Sequence, residues 1–133
     1  MKRDDYYRWA ERAAQWGADY LETLGERPVR AQTEPGDIAA LLPESPPEDP
    51  VDMETIFADF ERIVPGGMTH WQHPRFFAYV PANAAPVSMV AEQLAAVMAA
   101  QCMLWQTSPA ATEIETRMVD WMRQALGLPD SFT

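Results

Sequence analysis

An all-α fold of about four helices, joined by a proline-rich extended connector, is what this 133-residue sequence predicts. Three observations carry that expectation. Apolar residues recur at spacings of three and four in separate stretches, which is the period of a helix with one buried face. No stretch alternates convincingly with the period of two that a half-buried strand requires. Prolines and glycines punctuate the intervals, and 47% hydrophobic with 11% aromatic residues is enough to furnish a core.

The first helix can begin at Asp4 or Asp5 and stop at Gly25. Tyr6, Trp9, Ala13, Trp16, Tyr20 and Leu24 share one face of it, an unusually aromatic stripe, while Glu11, Arg12, Asp19 and Glu22 form the solvated side. Periodicity is then lost. Pro43, Pro46, Pro47 and Pro50 each remove a donor and constrain the preceding residue, so the segment up to residue 50 reads as an extended arm. The many acids from Glu34 to Glu61 read as a solvated strip without the spacing of a calcium loop.

Asp49-Pro50 has the form of a helix start, a cap followed by a first-turn proline, and Met53, Ile56, Phe57, Phe60 and Ile63 then repeat helically until Pro65-Gly66-Gly67. A loop rich in rings follows, "THWQHPRFFAYVPANAAP" at 69–86. The third helix opens near Pro86 and runs to about Cys102, apolar on nearly every side. Ser108-Pro109 starts a fourth, with Ile114, Met118, Trp121 and Ala125 on one stripe and Gly127 at its end.

The chain therefore divides into an N-terminal helix and arm, 1–50, and a helical segment, 51–133. The aromatic stripe of the first helix is set apart from the rest by the arm, and the third helix asks for neighbours on more sides than three short companions provide. A second chain answers both needs, so an interlocked homodimer with each arm across its partner is expected; a compact bundle is the simpler alternative.

Charge narrows the partners. Ten basic against twenty acidic residues give a formal charge of −10, which repels phosphate backbones and anionic lipid surfaces, so neither nucleic acid nor membrane is expected. The apolar stretch 84–104 carries Glu92 and Gln93 near its middle, where a bilayer penalises them, and reads as a helix buried in protein. One cysteine, Cys102, makes no internal disulfide, and the first sixteen residues lack the apolar run of a signal peptide; a cytoplasmic location fits.

No self-sufficient catalytic set emerges. His70 and His73 lack a third ligand beside them, so no metal is expected. Cys102, inside an apolar helix, reads as inert packing. Glu113 and Glu115 point to different sides of the fourth helix and suit its positive end. No glycine-rich phosphate cradle is present. The rings at 71 and 79 can serve a ligand, a core or a dimer seam, and Arg75 an anion or an ion pair.

The order and spacing of "THWQHPRFFAYVP" at 69–81, "SPAATEIE" at 108–115 and "VDWMRQALGLP" at 119–129 resemble the N-terminal region of the group II pyridoxal-phosphate-dependent decarboxylases, the family of aromatic-L-amino-acid, tyrosine and histidine decarboxylases. The acidic connector "EPGDIAALLPESPPEDP" is similar too, so the likeness spans practically the whole chain. The resemblance implies the N-terminal part of a larger α/β enzyme, in which pyridoxal 5'-phosphate is bound by a domain lying outside this segment. It implies no catalytic or cofactor-binding residue here, because the only lysine is Lys2, near a chain end. It implies packing against the rest of the decarboxylase chain or a partner subunit. It also places Trp71, Tyr79 and Pro81 on the substrate side of a shared active site, with Ala82, Gln101 and Met103 at substrate-facing positions whose identity varies. The alternative from a different class is a stand-alone acidic helical interaction module without catalytic activity.

Overall fold

The computed structural model describes residues 1–80 and 84–132. They form four α-helices, α1 (Arg3–Glu22), α2 (Met53–Ile63), α3 (Pro86–Met98) and α4 (Pro109–Ala125), with single 3₁₀ turns at Leu24–Glu26, Ala39–Leu41 and Pro65–Gly67. No strand occurs among the described residues, so the all-helical expectation holds. The chain falls into two compact units, 1–83 and 84–133.

In the first unit α1 starts one residue before the expected acids, with the Lys2 backbone N–H donating to Asp5 Oδ2 at 3.2 Å. The middle of the aromatic stripe packs on α2, with Trp9 buried and Trp16 half-buried. Trp9 and Phe57 lie 5.7 Å apart between ring centroids, and Trp16 meets Phe60 edge-on at 4.8 Å. Arg12 spans the same seam, reaching Glu54 at 2.7 Å and Glu61 at 3.4 Å while lying over the rings of Trp9 and Phe57. Part of the stripe, Trp9 and Trp16, is thus covered from within the same chain, while Tyr6 and Ala13 stay exposed. The connector, though extended, folds back on the end of α2: Ile38 lies against the Pro65–Gly67 turn, where a Cβ on Gly67 would come within 2.7 Å of its Cδ1.

The start of α2 also differs from expectation. Asp52, not Asp49, is the cap: its Oδ1 accepts the Thr55 backbone N–H at 2.9 Å and its Oδ2 accepts the Thr55 hydroxyl at 3.3 Å. Thr55, three residues ahead, gives the Asp52 carboxylate two donors, and that pair of bonds outweighs the proline signal at 50.

In the second unit Pro86 opens α3 as expected, with Ser88 Oγ bonded to both the N–H and the carbonyl of Ala85. The helix stops at Met98, a turn short of the expected Cys102, because Ala99 takes a left-handed conformation, φ 48°. Beyond it the Thr107 hydroxyl claims the carbonyls of Gln101 and Leu104, at 2.7 and 2.9 Å, so these serve a turn instead of a helix. Cys102 accordingly sits in an exposed turn, not in the packed helix expected for it. The α4 helix begins after Ser108, and Gly127, φ 67°, follows its last turn, as the sequence indicates.

No side chain of 84–132 is buried. Val90, Leu94 and Val97 on α3 are exposed, and so are Met118, Trp121 and Met122 on α4. No helix among the described residues is long and apolar enough to cross a membrane.

Candidate functional site

The ring-rich segment after α2 is a series of tight turns pinned from below. The His70 N–H donates to the Val29 carbonyl at 2.9 Å, Thr69 Oγ1 accepts the Ala31 N–H at 3.3 Å, and Pro74 lies against Gly25. Residues 25–31 and 69–74 therefore run past one another in opposite directions. Turn hydrogen bonds from the His73 N–H to the His70 carbonyl and from the Phe76 N–H to the His73 carbonyl fold the segment onto itself.

Both histidines point inward, each only 3% exposed. His70 Nδ1 lies 2.7 Å from the Tyr20 hydroxyl at the end of the α1 stripe. Burial pushes the His70 imidazole below its usual range, and the charges of Arg27 and His73 push the same way, so it is held neutral while its Nδ1 shares a hydrogen bond with the Tyr20 hydroxyl. His73 Nδ1 accepts the Arg75 backbone N–H at 2.9 Å, which leaves its hydrogen on the buried Nε2. Arg27 lies over the Tyr20 ring, 5.0 Å from its centroid, and closes the cluster.

With its two neighbours drawn inward, the ring between them turns out. Trp71 is 42% exposed and stacks on Tyr79, centroids 5.6 Å apart and planes 22° apart, with Phe76 on it at 5.1 Å. Tyr79 is 85% exposed and adopts φ 56°, a left-handed conformation that a bulky residue enters at a cost. The result is an exposed aromatic platform on a buried polar base. Such a platform can take a flat ring by offset or tilted stacking.

Of the six sequence-predicted site residues, Trp71 and Tyr79 are brought into contact here. Gln101 and Met103 lie in the other unit, in the turn after α3; Met103 is exposed, and the Gln101 carbonyl is held by Thr107. Pro81 and Ala82 lie outside the described residues. Arg75 is exposed and contributes its backbone N–H to His73. Sequence reasoning missed His70, His73 and Tyr20 as a unit and Phe76 as the third ring. The available signal was that the only two histidines flank the loop's tryptophan.

Other chemistry is sparse. Among the described residues no group of three or more His, Cys, Asp or Glu is placed to hold a metal ion. Among the described residues no buried lysine is available to form an imine with pyridoxal phosphate. Its imine-forming amine needs desolvation, and Lys2, the only lysine, is exposed at the start of α1. No reaction step is therefore assigned to these residues through that cofactor.

Comparison with known proteins gives this geometry its context. Residues 35–133 match the family model described as the pyridoxal-dependent decarboxylase conserved domain. The chain is 42% identical over 133 residues to aromatic-L-amino-acid decarboxylase of Cavia porcellus, covering 99% of this chain and 28% of that protein. It is 39% identical over 129 residues to tyrosine decarboxylase 1 of Narcissus pseudonarcissus, covering 97% of this chain and 25% of that one. The crystal structure of Catharanthus roseus tryptophan decarboxylase in complex with L-tryptophan superposes with a TM-score of 0.90 at 32% identity, covering 100% of this chain and 29% of that one. The chain thus spans about a quarter of the length of the relatives it matches, in their N-terminal portion. By sequence and by fold, it belongs to the pyridoxal-dependent decarboxylase family.

Proposed function

We propose that this chain is the N-terminal portion of a pyridoxal-phosphate-dependent amino-acid decarboxylase, and that it supplies the substrate-side wall and subunit contacts, not the bond-breaking chemistry. The observation that carries the reading is the exposed Trp71–Tyr79 stack, raised on a buried base in a chain whose relatives are named for aromatic amino acids and tyrosine. A stacked pair offers a substrate ring broad contact at little ordering cost. Pro81, Ala82, Gln101 and Met103 complete the wall in this reading. The cofactor, acting as electron sink for loss of CO2, belongs to the remainder of the enzyme.

The uncovered apolar faces of α3 and α4 support packing against more polypeptide, either the remainder of the decarboxylase or a partner subunit of a homodimer. In that assembly 1–50 acts as helix and arm, and 51–133 leads into the cofactor-binding domain. The working location is the cytoplasm.

The test is steady-state decarboxylation by the protein that carries this chain, with Trp71→Ala beside it. Removing one face of a stacking site worth about 1–1.5 kcal/mol raises KM for aromatic amino acids about five- to tenfold. A protein with no decarboxylase activity on any amino acid refutes the reading and favours an interaction module that kept the family's sequence but not its activity.

A further inference from the structure

The strain at Tyr79 asks what holds it. A bulky residue stays at φ 56° only where its surroundings over-determine the backbone. Tyr79 itself is exposed and its stacking partner Trp71 is half-exposed, so the two rings do not fix each other from within a core. What is buried lies on either side of Trp71. His70 is anchored twice, by its N–H to Val29 and by its imidazole to the hydroxyl of Tyr20, fifty residues earlier in the chain. His73 is anchored by its N–H to the His70 carbonyl and in turn fixes Arg75 through its ring. Tyr20 is held between the Trp16 ring, stacked at 5.2 Å, and Arg27.

From this arrangement we infer that Tyr20 and His70 are positioning residues for substrate recognition: the Tyr20–His70 hydrogen bond lets helix α1 set the orientation of the Trp71–Tyr79 platform. The inference rests on the proposed function for its kinetic consequence, but its structural half stands apart from it. Neither residue touches the ligand. Both act through the turn that carries Trp71, and the exposed rings move when the buried bond is lost.

Two readouts separate this role from a merely structural one. In the protein that carries this chain, Tyr20→Phe deletes only the hydroxyl and should raise KM for an aromatic amino acid about three- to tenfold with kcat within about twofold, the size expected for one net hydrogen bond. His70→Asn keeps a hydrogen-bonding amide near the Nδ1 position and should hold near-parent values, whereas His70→Leu should not. In a Tyr79→Ala background Tyr20→Phe should add no further rise in KM, because the platform it orients is already gone.

The second readout needs no turnover. In the 133-residue chain, the near-ultraviolet circular dichroism that is lost in Trp71→Phe should also shrink in Tyr20→Phe and persist in His70→Asn. Loss of that signal in a protein without decarboxylase activity sinks the proposed function and leaves this inference standing. An unchanged signal and unchanged KM in Tyr20→Phe overturn the inference. So does a fall in kcat alone, or additive effects of Tyr20→Phe and Tyr79→Ala. Failure of both Tyr20→Phe and His70→Leu to accumulate as folded protein also counts against it, since the bond would then hold the fold and not the rings.

Discussion

Trp9→Ala is the sharpest probe of how the first unit is held together. Trp9 is 7% exposed, packed on Phe57 of α2 with the guanidinium groups of Arg8 and Arg12 over its ring. Burying an aromatic side chain removes about 150–250 Å² from water, which at about 25 cal/mol per Å² is about 4–6 kcal/mol. A compact unfolded chain already hides part of that area, so a loss of about 3–4 kcal/mol is the working figure. That is a large share of the total stability of a domain this size. Urea unfolding of the 133-residue chain, followed by the far-ultraviolet helix signal, should show the midpoint falling by about 2 M or the unit unfolded without denaturant. Trp9→Phe, which keeps a ring on Phe57, should lose less than half as much. A Trp9→Ala midpoint within about 0.3 M of the parent would refute the packing of α1 on α2.

Two further outcomes follow from single groups. Because burial lowers the pKa of His70 in the folded chain, the unfolded chain takes up the proton first as pH falls; stability is intact above the usual value of 6.5 and is lost as pH drops through 6.5 towards the lower folded value. The melting temperature should fall as the pH drops below 6.5, and His70→Asn should flatten that slope. Asp52→Ala should fray the start of α2 and lower its helix signal, while Asp52→Asn should largely spare it. The Thr55 N–H holds the Asp52 carboxyl below its usual 3.8, so the cap's contribution is present above that pH and fades below it.

Much of the fold was legible because the helices are strongly periodic. The apolar positions of α1, α2 and α4 and the proline starts of α3 and α4 can be read from spacing alone. What spacing does not carry is tertiary return. The segment 27–50 has no period, so nothing in it announced that α2 would fold back to cover Trp9 and Trp16. The choice of Asp52 over Asp49 turned on a threonine three residues on, a local detail that the proline at 50 obscured. The early stop of α3 had no glycine or proline to signal it, since it is an alanine, Ala99, that takes the left-handed conformation.

The platform was legible in a different way. Trp71 and Tyr79 were picked out by resemblance to a family, and composition alone would have left them as core or seam. Their contact at 5.6 Å and the strained backbone of Tyr79 come only from the structure. The inward turn of His70 depends on Tyr20, and a pairing across fifty residues leaves no periodic trace. The family's larger likeness also explains why the second unit lacks a core. Helices α3 and α4 present apolar side chains for which the described residues provide no burial.

The central claim is that these residues shape and enclose a substrate without breaking its bonds, and release of labelled CO2 tests it most directly. The purified 133-residue chain, given carboxyl-labelled aromatic amino acids and pyridoxal phosphate, should release no more than the cofactor alone. Repeated turnovers per chain, abolished by denaturing it, would contradict the account.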